Sequence, residues 1–351
     1  MNIWLWILIG VLAFIVVSEL AIAGVIYTIL LVRTSKKKWG RDVKLPDDDE
    51  YKGMYYEGLE WGREYADYSR DVQIKNGKYR LVGEYFDFGG EKAAIIIAGR
   101  TESLKYSYYF AEPYRKAGYN VLVVDNRSHG YSDGRVCSLG YREYSDIQAW
   151  SRFLCDDLGN KAVFLHGICI GSAVALFALV DRNCPDCVEG MCADGMFTRF
   201  AESFKNHMDE DKRPKLIPKG LVYLYMRVFS HANVVSDGPL WRIDRLRKPI
   251  LFLHSREDTY STPEQAEKLF AKCSSPNKRF VWFEKGAHSR VRVNAPQQVA
   301  RSRASPRSIS RLQQARSRSL PRQARPLPPK MPPRGNDRMV RQHIRETASF
   351  G

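Results

Sequence analysis

Cysteine is scarce and irregularly placed in this chain. Its 351 residues include seven cysteines, an odd number without the regular spacing of a disulfide framework. Such usage fits a reducing compartment better than a secreted disulfide scaffold. Cys184 and Cys187 form the one closely spaced pair, and no matching pair of Cys or His lies near enough in sequence to complete a zinc site. We therefore expect two ordinary thiols there, with no metal and no other cofactor.

Aromatic residues are almost absent from the C-terminal segment 293–351, where Phe350 is the one representative. This segment is rich in Arg, Pro and Ser and carries about +11 of the chain's net charge of +16. It cannot bury a core, so we expect it to be disordered. A basic tail that contacts RNA or anionic lipid is one interpretation, but the tail lacks aromatic side chains that could stack on bases, which argues against a nucleic-acid partner. The composition favours a shifted reading frame or a chimeric C-terminus.

No Lys or Arg precedes the apolar run at the N-terminus, residues 3–32, whereas Arg33, Lys36, Lys37, Lys38 and Arg41 follow it. The run is long enough to cross a bilayer. The positive-inside rule then places the N-terminus outside and the rest of the chain in the cytoplasm. A cleaved signal peptide would need a basic start and a shorter apolar stretch. Residues 1–35 are thus predicted to be a single-pass anchor in the cell membrane, in which Glu19 stays protonated or reaches the interface.

Short apolar strands alternate with helices after a polar, aromatic-rich juxtamembrane segment, residues 36–71, in which we expect a helix. The alternation predicts an α/β domain over 72–292 with a mostly parallel sheet flanked by helices. It stops between 197 and 246, where helices with mixed apolar and basic residues predict a lid. The predicted elements are a hairpin at 72–88, strands at 93–98, 120–124, 162–166, 188–193, 249–254 and 279–284, and helices at 106–117, 144–158, 172–180 and 263–272.

One motif carries the chemistry: Gly167-Ile168-Cys169-Ile170-Gly171, between the strand AVFLH and the helix SAVALFALV. A strand, a Gly-x-nucleophile-x-Gly turn and a helix make a nucleophile elbow, whose strained central residue needs small neighbours two positions away. The positive end of the helix dipole favours a thiolate at Cys169. The alternative is a buried structural cysteine between two packing glycines.

An acid and a base follow the elbow in the order that this kind of site requires. Asp258 follows the strand PILFLH, and His288 follows the strand RFVWFEKG. His288 is predicted to take the thiol proton and Asp258 to orient the imidazole, with Glu257 as the alternative acid.

Two backbone amides are predicted to bind the oxyanion of the reaction. One belongs to Ile170, directly after the nucleophile, and the other to Arg100, in the loop after the strand AAIIIA. The charged side chains of Arg100 and Glu102 either bind a polar head group or pair with each other.

With these motifs the chain resembles the α/β-hydrolase superfamily over about residues 78–292. Within it, the chain is similar to bacterial membrane-anchored hydrolases related to lysophospholipases and monoacylglycerol lipases. The motifs are AGRTESLKY, VLVVDNRSHGYSDG, GYREYSDIQAW, HGICIGSA, HSREDTYSTP and GAHSR. Two departures stand out: Cys169 replaces the usual serine, as in dienelactone hydrolases and polyhydroxyalkanoate synthases, and the family's final amphipathic helix is missing after His288.

The sequence thus predicts a membrane-anchored hydrolase that cleaves carboxylic esters or thioesters, lipid-like ones among them, through a Cys-His-Asp acyl-enzyme. The same triad would serve an acyltransferase if an alcohol or thiol resolved the intermediate. A catalytically inactive scaffold with the same fold is the alternative from outside enzymology.

Overall fold

A computed structural model of the chain describes residues 3–34, 39–41, 45, 48–212 and 218–290. The predicted tail, 293–351, and the basic residues at 36–38 lie outside these ranges. Predictions about those two segments therefore stay predictions.

A single eight-stranded sheet organises the domain, in the order β1-β2-β4-β3-β5-β6-β7-β8. The hairpin strand β2 pairs antiparallel with both β1 and β4, and every later neighbour pair is parallel. The central strands are almost fully buried because helices cover them, which explains their unbroken apolar runs. The strands are β1 Ser69–Asn76, β2 Tyr79–Phe86, β3 Lys92–Ile97, β4 Tyr119–Val124, β5 Ala162–Ile168, β6 Val188–Asp194, β7 Ile250–Ser255 and β8 Lys278–Phe283.

Ten α-helices surround the sheet or extend from it within the described residues. Two hydrophobic cores result, one on each face of the sheet. The helices are α1 Ile3–Leu31, α2 Asp49–Glu64, α3 Leu104–Ser107, α4 Glu112–Lys116, α5 Tyr144–Arg152, α6 Ile170–Val180, α7 Phe200–Glu210, α8 Lys219–Phe229, α9 Pro239–Arg242 and α10 Pro263–Lys272.

The helix predicted over 106–117 is wrong as one continuous element. The structure has α3, a 3-10 turn over Tyr108–Phe110 and then α4. Pro113 lies in the first turn of α4, where its missing N–H is harmless, but inside a longer helix it would break a hydrogen bond and clash with the preceding turn. The helix predicted over 144–158 likewise changes character, because α5 gives way to a π-helical turn at Phe153–Asp157.

A helix was predicted in the juxtamembrane segment, and α2 occupies it. Asp48 caps its N-terminus by accepting a hydrogen bond from the amide of Tyr51 at 2.9 Å. Near its other end Trp61 is buried, lies 4.8 Å from the ring of Phe86 and donates to Glu112. The helix therefore belongs to the packed domain, which composition alone did not indicate.

The lid predicted between 197 and 246 is helical, with α7, α8 and α9 in its described residues. Residues 213–217 of the lid lie outside the described ranges.

The structure pairs two cysteines for which no disulfide was predicted, Cys155 and Cys187. They are 32 residues apart in sequence, with their Cα atoms 6.9 Å apart. The turn after α5 and the residue before β6 meet at the same end of the sheet, a juxtaposition that spacing along the chain does not reveal. The other five cysteines are free thiols.

Candidate active site

The turn between β5 and α6 holds Cys169 in a conformation that few side-chain-bearing residues adopt, with φ 53° and ψ −113°. Its neighbours explain the two glycines. A Cβ on Gly167 would lie 2.3 Å from the carbonyl oxygen of Gly171, and a Cβ on Gly171 would lie 2.1 Å from the carbonyl oxygen of Ile97. Both contacts are with backbone, which cannot move aside. The turn predicted from the pattern is therefore an elbow that only glycines at 167 and 171 permit.

His288 and Asp258 meet beside this elbow, on the loops after β8 and β7. The Nδ1 of His288 lies 2.7 Å from Oδ2 of Asp258. The other carboxylate oxygen of Asp258 accepts from the amides of Tyr260 and Ser261, at 3.0 and 2.8 Å. These bonds fix the carboxylate, and the carboxylate fixes the imidazole with its Nε2 available to the elbow.

The alternative acid, Glu257, is occupied elsewhere. Its Oε2 accepts a hydrogen bond from the amide of Gly286 at 2.9 Å. In this structure Glu257 steadies the loop that carries His288, while Asp258 contacts the ring.

The electrostatics of the site favour a charged imidazole. Burial of the His288 ring would lower its pKa, but its contacts with Asp258 and with the side chain of Cys169 raise the pKa well above its ordinary value. Burial alone would raise the pKa of Asp258, yet the partnership with His288 holds the pKa of that carboxyl below its usual range. The three side chains are thus electrostatically coupled, and the structure brings together the residues that the sequence analysis singled out.

The predicted oxyanion residues, Arg100 and Ile170, both line the cavity that contains Cys169. Ile170 begins α6 directly after the thiol. The loop of Arg100 approaches from the other side, since a Cβ placed on Gly99 would lie 3.6 Å from the Cβ of Cys169. Both predicted residues therefore lie beside the thiol, and the binding of an oxyanion by their amides stays a prediction.

Within the described residues, no direct hydrogen bond or salt bridge joins the charged side chains of Arg100 and Glu102, although their charges interact. Arg100 donates from Nη1 to the carbonyl oxygen of Leu30, in the last turn of α1, at 3.2 Å. Glu102 accepts from the hydroxyl of Tyr51 and from the amide of Gly99, each at 2.8 Å. Burial raises the pKa of Glu102 despite these hydrogen bonds. The loop is therefore tied to both α1 and α2.

The cavity has a volume of about 550 Å³, and three helices that were not predicted to contribute supply much of its wall. The α7 residues recur at helical spacing on one face, a signal that could have been found in the sequence. No comparable sequence signal identifies the residues of α1 and α2. The missed residues are Ile26, Ile29 and Leu30 from α1, Tyr51, Met54 and Tyr55 from α2, Phe200, Ser203, Phe204, His207 and Met208 from α7, and Asp211 directly after α7.

The lid also contacts the loop of the acid. The ring of His207 stacks on Tyr260 with centroids 3.6 Å apart, and Tyr260 lies 5.6 Å from His288. Asn206 donates to the carbonyl oxygen of Tyr260 at 3.1 Å. Burial lowers the pKa of His207 to about 4, so this lid ring is neutral near neutral pH. An uncharged lid side chain adds no repulsion to the imidazolium of His288.

Comparison with known proteins gives the same fold. The family described as alpha/beta hydrolase fold matches residues 93–242. The uncharacterized protein YqkD of Bacillus subtilis is 31% identical over 191 residues, which are 53% of this chain and 60% of that protein. An uncharacterized membrane protein of Saccharomyces cerevisiae is 24% identical over 180 residues, 50% of this chain and 57% of the relative. The chain thus spans less than two thirds of either relative.

Two solved structures show the likeness in three dimensions. The esterase Pf2001 of Pyrococcus furiosus superimposes with a TM-score of 0.60 at 22% identity, over 71% of this chain and 93% of the esterase. The α/β hydrolase GrgF from Penicillium gives a TM-score of 0.56 at 15% identity, over 69% and 98% of the two chains. The chain has the α/β-hydrolase fold, with the mostly parallel sheet and flanking helices that its sequence predicted.

Proposed function

We propose that this chain is a membrane-anchored hydrolase that cleaves carboxylic esters or thioesters through a Cys-His-Asp triad. The observation that carries the proposal is the placement of Cys169 at a strained elbow, coupled to a His288 ring that Asp258 holds at 2.7 Å. A structural cysteine needs neither the strained turn nor a charged imidazole. Esterases have the same fold, which supports hydrolysis as the reaction class.

The chemistry follows from the positions of the groups. His288 takes the thiol proton first, which leaves a thiolate on Cys169 beside the charged imidazole. The thiolate Sγ then attacks the carbonyl carbon, and the amides of Ile170 and Arg100 stabilise the oxyanion. The intermediate collapses to a thioester on Cys169, and the leaving alcohol or thiol receives the proton from His288. Water, deprotonated by the same ring, then hydrolyses the thioester and restores the thiol.

The cavity favours a substrate with an apolar acyl part, because most of its wall surface is apolar and Ile, Phe and Met side chains contribute to it. A thiol nucleophile works best on activated esters, lactones and thioesters, since a thioester is less stable than an alkyl ester. The similarity to lysophospholipases suggests a lipid-like substrate of this reactive type.

Helix α1 supports a membrane location. Its 29 residues are long and apolar enough to cross a bilayer, and its most hydropathic 18-residue window is not buried inside the protein. A core helix of a soluble protein would be buried. With basic residues after the helix, we place the catalytic domain on the cytoplasmic face. A protease added outside sealed, right-side-out vesicles should leave the domain intact, and digestion of the domain would reverse the orientation.

Replacement of the nucleophile tests the function. Cys169→Ala should lower turnover of a short-chain thioester by about 10³-fold or more, because no other group can form the acyl-enzyme. Mass spectrometry should detect an acyl adduct on Cys169 in the wild-type chain. The matched control is Cys184→Ala, which removes a partly buried free thiol elsewhere and should leave turnover unchanged.

Full turnover by Cys169→Ala would disprove the nucleophile assignment. An unreactive wild-type chain that forms no adduct would instead indicate the inactive scaffold. Transfer of the acyl group to an added alcohol or thiol, in place of hydrolysis, would make the protein an acyltransferase.

A further inference from the structure

Helix α1 is longer than a membrane needs. At ~1.5 Å per residue its 29 residues extend about 43 Å, whereas the hydrocarbon core of a bilayer is ~30 Å thick. Its exposure changes along its length: every residue from 3 to 17 is exposed, while Ala23, Tyr27 and Leu31 are buried against the domain. The surplus third of the helix is therefore part of the protein's own packing.

The buried part of α1 packs against α8 of the lid. The hydroxyls of Tyr27 and Ser230 are 3.0 Å apart, and the Tyr225 hydroxyl donates to the carbonyl oxygen of Leu20 at 3.3 Å. The Tyr27 ring lies 5.9 Å from the ring of Tyr225 and from that of Phe229. The lid is thus attached to the same helix that enters the bilayer.

The end of α1 is also tied to the catalytic domain. The amide of Cys137 donates to the carbonyl oxygen of Leu31 at 2.9 Å, and the amide of Arg33 donates to the carbonyl oxygen of Arg135 at 2.7 Å. Arg100, in the oxyanion loop, adds the bond to Leu30. Within the described residues, these bonds join the end of α1 to the domain, so packing sets the distance from the catalytic cavity to the bilayer.

A groove of about 520 Å³ lies between α1 and α8, and its wall is largely apolar. Ile29 lines both this groove and the catalytic cavity. The two spaces therefore adjoin at one side chain. The residues that line the groove are Ala21, Gly24, Val25, Tyr27, Thr28 and Ile29 of α1 with Tyr225 and Phe229 of α8.

The outer surface of α8 continues the apolar surface of α1. Leu224, Val228 and Phe229 are 50%, 53% and 57% exposed, fractions like those of the α1 residues that face away from the domain. Exposed apolar area of this kind is unfavourable in water. Because α8 is attached to a helix that enters hydrocarbon, the bilayer itself is the partner that covers this face.

We propose that the groove between α1 and α8 is a lateral entrance, through which the acyl chain of a bilayer-resident substrate passes Ile29 into the catalytic cavity. The inference rests on the proposed function for the identity of the reaction, and it adds where the substrate comes from. The substrate class is an amphiphile dissolved in the membrane leaflet, rather than a water-soluble ester.

A matched pair of substitutions in one helix tests the entrance. Ala21→Trp puts a large side chain in the groove, and Ala13→Trp puts the same side chain on the exposed part of α1. The full-length chain is reconstituted in phosphatidylcholine and phosphatidylglycerol vesicles. Turnover is measured for a long-chain acyl thioester in the same vesicles and for a short-chain, water-soluble thioester.

Ala21→Trp should lower kcat/KM for the long-chain thioester by about 10-fold or more and leave that for the soluble one within about 2-fold, since only access along the groove changes. Ala13→Trp should leave both within about 2-fold of wild type by the same reasoning. Equal loss on both substrates, or no loss on either, overturns the proposal. If the wild-type chain turned over neither thioester, the proposed function would fail by itself.

A measurement that does not depend on turnover distinguishes failure of the lateral entrance from failure of the proposed function. A lipid that carries a photoreactive diazirine near the end of its acyl chain is included in the vesicles, and cross-linked peptides are identified by mass spectrometry. We expect adducts on the peptides of α8 as well as on residues 3–17 of α1, and loss of the Phe229 adduct in Ala21→Trp. Adducts confined to residues 3–17 would show that lipid does not enter the groove.

Discussion

The nucleophile elbow, residues 167–171, and the layer formed by helices α1 and α8 are packed in opposite ways. At the elbow, backbone contacts backbone, and an added Cβ on Gly171 would lie 2.1 Å from a carbonyl oxygen. Between α1 and α8, aromatic rings meet at about 6 Å around a groove, and a Cβ added to Gly24 of α1 would meet no atom nearer than the Tyr225 ring, at 3.4 Å. The comparison indicates that the sheet region fixes the positions of the Cys169, Asp258 and His288 side chains. The helical layer instead leaves an open groove between α1 and α8.

The sharpest contrast comes from the same substitution in both regions. Gly171→Ala should destabilise the fold by about 3 kcal/mol or more, because the β3 backbone cannot yield to the new methyl group. Gly24→Ala should instead stabilise it by roughly 0.5–1 kcal/mol, because alanine is the better helix former and the new methyl group makes only ordinary contact with the Tyr225 ring. Urea unfolding in detergent measures both. Similar free energies of unfolding for the two variants would remove the distinction between a rigid elbow and a loose layer.

A second prediction concerns the coupling of charges at the elbow. Asp258→Asn should lower the pKa of His288, because the carboxylate is the main influence that opposes burial of the ring. In the wild-type chain the folded pKa exceeds the ordinary value of 6.5, so protonation of His288 stabilises the fold below about pH 6.5. This contribution disappears as the pH rises through the folded-state pKa. In Asp258→Asn it should be lost at lower pH.

Titration of the labelled histidine by NMR, together with unfolding measured against pH, checks this prediction. Glu257→Gln is the control, since that carboxylate bonds to the Gly286 amide and not to the ring. An equal fall in the His288 pKa in both variants would mean that the general negative field, and not the Asp258 contact, sustains the charge.

The smallest expected effect lies in the layer. Tyr27→Phe removes the hydroxyl that bonds Ser230 across α1 and α8, and should cost roughly 0.5–1.5 kcal/mol, as a single neutral hydrogen bond does. The melting temperature of the reconstituted chain measures it. Tyr225→Phe, which loses a longer bond to Leu20, provides the comparison and should cost less. A loss of several kcal/mol from Tyr27→Phe would show that the layer is as tightly determined as the elbow.

Much of the fold and site could be predicted from local pattern. The start of β5 at Ala162 and both bounds of α10 followed from apolar runs and from Pro263 at a helix start, although β5 runs two residues beyond its predicted end. The chain order of Cys169, Asp258 and His288 followed from strand ends. Local pattern did not predict contacts between distant segments, namely the Cys155–Cys187 pair and the cavity walls contributed by α1 and α2. The helix break at Pro113 is a local feature that the prediction of one continuous helix missed.

The sequence by itself determined the α/β alternation, the glycine-flanked elbow and an apolar helix long enough for a bilayer, because each depends on residues adjacent in the chain. Only the tertiary structure decided that Asp258 and not Glu257 holds the imidazole, and that the last turns of α1 form a wall of the catalytic cavity. Those outcomes depend on which side chains converge after the sheet has assembled. An apolar run has the same sequence pattern whether its end faces lipid or the cavity of Cys169. The packing of the folded chain alone distinguishes these two environments.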